Sequence, residues 1–309
     1  MVILDLSRST YPPLSNGDRH HHSKIAGESP MTMTTKPISI LDRSGPRIKT
    51  AAPSLDAHRG GGVKWTTDGQ TEKEQQMAKK NICIGTWNVR SLKDEGKLEV
   101  LVNEISTISW NVVGVSELRW TGIGETSTDD GHNLWYSGAE KKHVRGVGVL
   151  VEKETAKSVI EYTPVSDRII AIRLKGKPRN MTIIQIYAPS SDSEDEEIER
   201  FYQDLEQTTK EKDILVIQGD WNAKIGYKES TGWERTIGDF GVGTRNERGI
   251  MLLEFAKRHH LVVANTLHNH KLSRRTTWHS PDGVTHNQID YILVDRRFQT
   301  GINRPKTRT

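Results

Sequence analysis

The chain has 309 residues, of which 34% are hydrophobic, so it is long enough to form one large globular domain or two small ones. No apolar run approaches the ~20 residues needed to span a bilayer, and we therefore expect no membrane association. The single cysteine, Cys83, excludes an internal disulfide framework and favours a reducing compartment. These features predict an intracellular protein.

The net charge of +4 is unevenly distributed along the chain. Residues 1–80 contain 12 Lys/Arg and 8 Asp/Glu, whereas residues 81–309 contain 32 of each. Residues 271–309 contain 8 bases and 3 acids, and residues 191–213 contain 10 acids and 3 bases. We interpret the acidic stretch as a solvated helix face, and a basic end segment would suit a polyanionic substrate.

The composition divides the chain into two parts. Residues 1–80 are rich in Ser, Thr, Pro, Gly, Arg and His without a sustained hydrophobic period, which predicts a disordered N-terminal segment. Order is expected to begin at Asn81. Residues 81–309 are therefore predicted to form the folded domain.

Within residues 81–309, apolar runs predict strands in chain order, with three helices between them. The expected strands are residues 82–88, 112–115, 146–151, 169–174, 181–187, 214–220, 261–265, 276–278 and 289–294. A helical spacing links Leu98, Leu101, Val102 and Ile105, a second helix is expected to start at Ser190 or Ser191, and a third covers residues 247–259. This alternation favours an α/β (α+β) sandwich with a mixed sheet and helices on its outer faces.

Polar side chains stand where the expected strands end. The tetrapeptide Gly219-Asp220-Trp221-Asn222 follows the apolar run 214–217 and places a carboxylate and an amide two residues apart at a strand end. Four other strand ends carry Asn88, Glu117, Tyr187 and Asp290. Oxygen donors without cysteine or paired histidines suit Mg²⁺, with Mn²⁺ as an alternative, and indicate no small-molecule cofactor. Such a cluster fits metal-assisted phosphoester hydrolysis.

Each of these residues also has an ordinary structural interpretation. Asn88 is compatible with a turn or helix cap, Glu117 with an exposed loop acid, and Tyr187 with a strand-end aromatic. Asp220 is compatible with a turn cap, and Asp290 with an ion pair to Arg296 or Arg297.

Taken together, the ordered motifs resemble those of the endonuclease/exonuclease/phosphatase superfamily, which includes exonuclease III and the abasic-site endonucleases. The motifs are Thr86-Trp87-Asn88, Ser116-Glu117, Ile186-Tyr187-Ala188-Pro189, Gly219-Asp220-Trp221-Asn222, Thr277-Trp278 and Gln288-Ile289-Asp290-Tyr291. Longer stretches at 86–92, 116–120, 244–249 and 276–282 resemble the endonuclease domain of non-LTR (LINE-type) retrotransposons. The resemblance covers about residues 81–298 and implies a four-layer sandwich of two packed sheets flanked by helices.

The resemblance also implies roles for individual residues. Glu117 resembles the principal metal ligand, and Asn88 a residue that helps to hold metal and phosphate. Tyr187 resembles the phenol that contacts the scissile phosphate, and Asp220 the carboxylate that aligns the attacking water. Asn222 would donate to a phosphate oxygen in the transition state.

Two further positions follow from the same resemblance. Asn246 is expected to support the site, and Asp290 resembles the aspartate that orients a catalytic histidine. The family closes with a strand carrying Ser-Asp-His about two dozen residues beyond that aspartate. Only 19 residues follow Asp290 here, and they contain no histidine. We therefore expect the last strand to be missing, the C-terminus to be truncated, and a sheet edge to be exposed.

Three functions are compatible with these patterns. The leading hypothesis is a Mg²⁺-dependent DNA endonuclease of retrotransposon origin, nuclear in location and weak or inactive because of the truncation. The second is a remnant that binds nucleic acid or protein without hydrolysis. The third is a phosphatase of the same superfamily. The sequence assigns no oligomeric state.

Overall fold

Two β-sheets pack face to face in this computed structural model, which describes residues 1–6, 81–209, 212–227, 232–280 and 282–307. The core between the sheets combines side chains from both of them, among them Val112, Val149, Ile172, Ile183 and Val216. Each of these five is at most 1% exposed. The apolar runs of the sequence form strands because both faces of their sheets are covered.

The first sheet has seven strands in the order β15-β1-β2-β3-β6-β5-β4. In chain order they are β1 Val2–Leu6, β2 Ile82–Asn88, β3 Val112–Ser116, β4 Ile123–Ser127, β5 Asn133–Ser137, β6 Val147–Val151 and β15 Ile302–Thr307. The pair β2–β3 is parallel, and the other neighbours are antiparallel.

The second sheet has six strands in the order β11-β14-β10-β9-β8-β7. In chain order they are β7 Val159–Ser166, β8 Ile169–Leu174, β9 Met181–Tyr187, β10 Ile214–Asp220, β11 Leu261–Val263 and β14 Asp290–Asp295. The pair β9–β10 is parallel, and the remaining pairs are antiparallel. A two-stranded ribbon joins β12 Trp278–His279 to β13 His286–Asn287.

Helices cover the outer faces of the two sheets. The helix α1, Lys97–Ser106, buries Leu98, Leu101, Val102 and Ile105 against the first sheet, as their spacing predicts. A short helix, α2, spans Lys153–Ala156. On the second sheet lie α3, Asp195–Thr208, and α4, Glu247–Arg258. The predicted arrangement of two mixed sheets flanked by helices is confirmed.

The strand β1 corrects two expectations from the sequence. Residues 2–6 were assigned to a disordered segment, yet they form a strand between β2 and β15 with Val2, Leu4 and Leu6 at most 5% exposed. The edge of β2 is therefore covered by β1 rather than exposed. The expectation of disorder for residues 7–80 lies outside the described residues.

Other differences are local. Helix α3 begins at Asp195 with Glu194 as its N-cap residue, four to five residues after the expected start. The strands β4, β5 and β7 were not predicted. The edge strands β4 and β7 contain no buried residue, and β5, which buries three residues, is only five residues long. None of the helices in the described part of the chain combines the length and apolar character needed to cross a bilayer.

Candidate active site

The ends of five strands meet at one edge of the two sheets. In the first sheet, Asn88 at the end of β2 lies in register with Ser116, which precedes Glu117. In the second sheet, Asp220 pairs in register with Tyr187 on one side and with Asp290 on the other. The sheet register therefore places the polar residues of each sheet at one level, as their positions in the sequence suggested.

Asn88 joins the two sheets at this edge. Its side-chain nitrogen Nδ2 donates to Oε1 of Glu117 at 2.8 Å and to Oδ2 of Asp220 at 2.9 Å. Its Oδ1 accepts the backbone N–H of Arg90 at 3.0 Å, which fixes the plane of the amide. A single amide thus holds one carboxylate from each sheet, and it also forms the turn contact that the ordinary interpretation predicted.

Burial disfavours the charged forms of the carboxyl groups of Asp220 and Asp290. Burial raises the pKa of Asp220, and the charge of Asp290 raises it further, while hydrogen bonds from Asn88 and Asn222 oppose the shift. Burial also raises the pKa of Asp290, against a hydrogen bond from Thr277. Oδ1 of Asp290 is buried and has no hydrogen-bond partner among the described residues.

The alternative ion pair for Asp290 is wrong. Arg297 instead binds Asp295, with its Nε 3.0 Å from both carboxylate oxygens. The guanidinium of Arg296 lies 3.2 Å from Nδ1 of His260. Asp290 therefore keeps its carboxylate at the site edge.

Arg168, which was not predicted from the sequence, contacts both the backbone and the ring of Tyr187. Arg168 donates to the carbonyl of Tyr187 at 3.0 Å, and its guanidinium carbon lies 5.4 Å from the centroid of the Tyr187 ring. Burial, together with the charges of Glu117 and Asp220, raises the pKa of the Tyr187 phenol to about 12. The phenol is therefore protonated at neutral pH and can donate a hydrogen bond.

Glu197 on α3 connects Arg168 to the other sheet. Its Oε1 accepts from Nη2 of Arg168 at 2.9 Å and from Arg145 at 2.6 Å. Arg145 precedes β6 of the first sheet, whereas Arg168 lies between β7 and β8 of the second. One carboxylate thus ties the helix to both sheets beside Tyr187. Because these residues are far apart in sequence, no local motif indicates their pairing.

Left-handed backbone conformations concentrate around the same edge. Non-glycine residues with positive φ follow β2, β3 and β10 and precede β6: Arg90 (57°), Ser91 (156°), Glu117 (58°), Arg119 (59°), Arg145 (58°) and Asn222 (47°). Such conformations are strained for residues with a Cβ atom and are common at functional sites. At Glu117 this geometry turns the chain out of β3 so that the carboxylate reaches Asn88.

Asn222 contacts Asp220 directly, whereas Asn246 contacts the loop and helix beyond it. The backbone N–H of Asn222 donates to Oδ1 of Asp220 at 3.0 Å, and its side chain donates to the carbonyl of Ala188 at 2.8 Å. Asn246 is the N-cap of α4, where its Oδ1 accepts from the N–H groups of Gly249 and Lys224, each at 2.9 Å. The structure therefore brings Asn222 to the site, while Asn246 holds the loop that follows it.

A buried polar layer lies directly beneath the site residues. Nε2 of Gln185 donates to the hydroxyl groups of Thr86 at 3.2 Å and Ser116 at 2.9 Å, which joins the sheets two residues below Tyr187 and Asn88. The side chains of this layer pack directly against Gly114. A Cβ atom at this position would lie 1.7 Å from Oε1 of Gln185 and 2.5 Å from Nε2 of Gln218. Only glycine leaves room for both glutamines.

The donor atoms at this edge fit a hard divalent cation. Glu117 and Asp220 present carboxylate oxygens around the Asn88 amide. Burial raises the pKa of Asp220 most, and the charges of Asp290 and Glu117 add to the shift; a cation would offset these charges. Oxygen donors of this kind suit Mg²⁺ or Mn²⁺. No group of three His, Cys, Asp or Glu side chains within the described ranges is arranged as a complete metal site.

The chain belongs to the endonuclease/exonuclease/phosphatase family, whose family model matches residues 85–304. The family predicted from the motifs is thus confirmed. Among individual proteins, the chain is 40% identical over 293 residues to craniofacial development protein 2 of Bos taurus, covering 92% of this chain and 49% of that protein. It is 39% identical over 268 residues to the protein of the same name from Tragulus javanicus, covering 84% and 46% respectively. The chain spans about half the length of these relatives.

Solved structures similar to this chain include two nucleases. An AP endonuclease from Archaeoglobus fulgidus is 16% identical with a TM-score of 0.49, covering 70% of this chain and 88% of that one. The endonuclease domain of TRAS1, a telomere-specific non-LTR retrotransposon, is 14% identical with a TM-score of 0.45, covering 68% and 83%. At these TM-scores the two likenesses carry no functional argument.

Proposed function

We propose that this chain is a DNA endonuclease that hydrolyses phosphodiester bonds with a divalent cation, Mg²⁺ or Mn²⁺, and that its turnover is weak. The observation that carries the proposal is the Asn88 amide, which holds Glu117 and Asp220 from opposite sheets within 2.9 Å of one nitrogen. Membership of a family of nucleases and phosphatases supports the reaction class. The retrotransposon origin and the nuclear location are parts of the same proposal.

Each residue around Asn88 has a separate role in the proposed reaction. Glu117 and Asn88 would hold the cation, which supplies charge neutralisation at the phosphate and a lower pKa for a water molecule. Asp220 aligns the attacking water through its buried carboxylate. Tyr187 donates its phenolic proton as a hydrogen bond to the phosphate, and Asn222 donates its amide to the oxygen on which charge develops.

The weak turnover follows from Asp290. Its Oδ1 is buried without a hydrogen-bond partner in the described part of the chain, and its carboxyl group bonds Thr277 rather than an imidazole of these residues. A positioned general acid or base typically contributes 10²–10⁴-fold to a rate. We therefore expect nicking that is slower than that of a complete site by about this factor.

The test is nicking of supercoiled plasmid in Mg²⁺ and in Mn²⁺, with EDTA as the metal-free arm. Slow nicking should disappear in Glu117→Gln and persist in Glu161→Gln, a partly exposed glutamate on β7 remote from the strand ends. Equal nicking by both variants would assign the activity to a contaminant and overturn the proposal. Fast nicking by the wild type would overturn the claim of weak turnover.

A second candidate function is binding of nucleic acid or protein without hydrolysis. It is also favoured by Oδ1 of Asp290, a buried atom without a hydrogen-bond partner among the described residues. DNA affinity unchanged by Mg²⁺ and by Glu117→Gln, without nicking, would support it. The phosphatase alternative is tested in the same preparation by release of inorganic phosphate from small phosphate esters.

A further inference from the structure

The first sheet is completed by a strand that is remote in sequence from all its neighbours. β1 pairs with β2 over five consecutive residues, from Val2 opposite Thr86 to Leu6 opposite Ile82. On its other side it pairs with β15, where the register shifts between Ile3 and Asp5. β1 thus has strand partners along both edges.

The contacts of β1 are those of a core strand. Val2, Leu4 and Leu6 are 1%, 0% and 5% exposed and lie in the core between the sheets. Seventy-five residues separate Leu6 from Ile82, so no hairpin turn holds β1 beside β2. The position of β1 therefore depends on its backbone pairing and its three apolar side chains.

We propose that the slot between β2 and β15 is a strand-acceptor site, and that its occupant is the separable segment Val2–Leu6 of the same chain. The ligand class is an extended peptide, antiparallel to β2, with apolar side chains at alternate positions. Such strand addition takes its affinity from main-chain hydrogen bonds and its specificity from alternate side chains.

The acceptor site adjoins the candidate active site. Val2 lies opposite Thr86, two residues before Asn88, and Met1 packs against the hydrophobic cluster that contains Leu92. Occupation of the slot therefore orders β2 up to the residue that joins the two sheets.

The natural cysteine offers a direct test in the full chain. Cys83 lies opposite Asp5, and its N–H and C=O both face the β3 side, where they bond Asn111 at 2.9 Å. Asp5 and Cys83 are thus a non-hydrogen-bonded pair, whose Cα atoms are typically about 4.5 Å apart, within disulfide range. The variant Asp5→Cys should form an intramolecular disulfide under mild oxidation.

The matched control is Ile3→Cys, which lies on the same strand but opposite Gly85, two positions from Cys83. A diagonal Cα separation of about 7–8 Å exceeds the usual disulfide range. We expect the monomeric disulfide to form at least tenfold faster in Asp5→Cys than in Ile3→Cys. Equal rates, or no disulfide, would overturn the docking of β1. A disulfide-linked dimer would show that a second copy supplies the strand and would overturn the assignment to the same chain.

Separability is tested with a variant lacking residues 1–6 and a synthetic peptide of residues 1–8. Along β2, backbone N–H groups point alternately to the two neighbouring strands. The N–H groups of Cys83 and Gly85 face β3, and those of Ile84 and Thr86 therefore face β1. We expect the deletion to speed amide exchange at Ile84 and Thr86 about 100-fold more than at Cys83 and Gly85. The peptide should restore protection, and its Leu4→Asp form should not.

Two results would contradict separability. Unchanged exchange at Ile84 and Thr86 after the deletion would show that the slot needs no strand. Failure of the peptide to restore protection in a folded deletion variant would show that β1 is not separable. If the deletion variant does not fold, addition of the peptide during refolding should recover the native fluorescence spectrum, and failure to do so would also overturn the proposal. None of these measurements depends on hydrolysis.

Discussion

Asp220 and Asp290 lie opposite each other in the register of β10 and β14, and their residues are only 4% and 8% exposed. Two carboxyl groups in this arrangement repel each other when both are ionised, and burial removes the water that would screen them. This relationship makes the site edge a source of instability in the folded protein, which metal binding or substitution can relieve.

Asp290→Asn is expected to stabilise the fold at neutral pH. The folded pKa of Asp290 is raised above its unfolded value of 3.8, so the charged group lowers stability as pH rises through 3.8 towards the folded pKa. Removing the charge should add about 1–3 kcal/mol to the free energy of unfolding at pH 7.5 and almost nothing at pH 3.5. Urea denaturation at both pH values measures this.

The control for that experiment is Asp295→Asn at the other end of β14. Asp295 is equally buried but paired with Arg297 through two contacts of 3.0 Å. Loss of this pair should destabilise the protein at pH 7.5. A destabilised Asp290→Asn variant would mean that the Asp290 carboxylate has a partner in solution.

Mg²⁺ is expected to raise the melting temperature through Glu117. A ligand that binds only the folded state stabilises it by RT ln(1 + [L]/Kd), so the stabilisation grows with the concentration of the ion. At 10 mM Mg²⁺ we expect the wild type to gain about 2–4 °C, equivalent to roughly 1 kcal/mol for a domain of this size. Glu117→Gln should show no gain. Differential scanning fluorimetry measures the shift, and an equal gain in both proteins would place the ion elsewhere.

Glu197→Gln should loosen the connection between α3 and Tyr187. The pKa of Glu197 is lowered: burial opposes the shift, but hydrogen bonds and charge from Arg168 and Arg145 outweigh it. Its stabilising effect is therefore present above the unfolded pKa of 4.5 and lost as pH falls. We expect a loss of about 1 kcal/mol at pH 7 that disappears near pH 3.

A second ion pair on β8 provides the comparison for Glu197. Asp213 accepts from Nε of Arg173 at 2.7 Å, at the end of β8 remote from Arg168. Asp213→Asn should also lower stability but leave nicking per folded molecule unchanged, whereas Glu197→Gln should reduce it. Equal nicking in the two variants would confine Glu197 to a structural role.

Gly114→Ala should destabilise the protein strongly. The new Cβ atom would overlap the side chains of Gln185 and Gln218, which are both fully buried, at a cost of about 3 kcal/mol. Gly124→Ala is the matched control, since its nearest neighbour is the Tyr136 hydroxyl at 2.7 Å, the far end of a half-buried side chain that can move. Chemical denaturation of both variants decides the point, and equal losses would show that the glutamines can also rearrange.

Asn246→Ala tests whether the helix cap supports the site. Loss of the two bonds to Gly249 and Lys224 should destabilise the protein by about 1–2 kcal/mol, while Asn246→Asp should retain both acceptor contacts. Thermal unfolding compares the two variants. If Asn246→Asp nicks plasmid like the wild type while Asn246→Ala does not, the residue acts by holding the loop after Asn222.

Patterns of neighbouring residues in the sequence predicted the strands whose own residues are mostly apolar. The strands β2, β9 and β10 were recognisable because long apolar runs end at polar residues, and those same ends identified Asn88 and Asp220. The strand β1 was missed because five residues within a polar segment give no signal until β2 and β15 bury them. The bond from Arg168 to Glu197 was missed for a similar reason, since it forms across 29 residues and depends on tertiary packing.

The pairing of β1 with β15 has a consequence for biosynthesis. Val2 lies opposite Thr307, so two strands about 300 residues apart in the sequence become neighbours in one sheet. Contacts of such large sequence separation form slowly, and an unpaired strand exposed in the meantime promotes aggregation. The apolar segment around Leu4 therefore has no partner on its second side until the residues of β15 have been translated. A chaperone that shields short apolar segments near the N-terminus would be expected to raise the yield of folded protein.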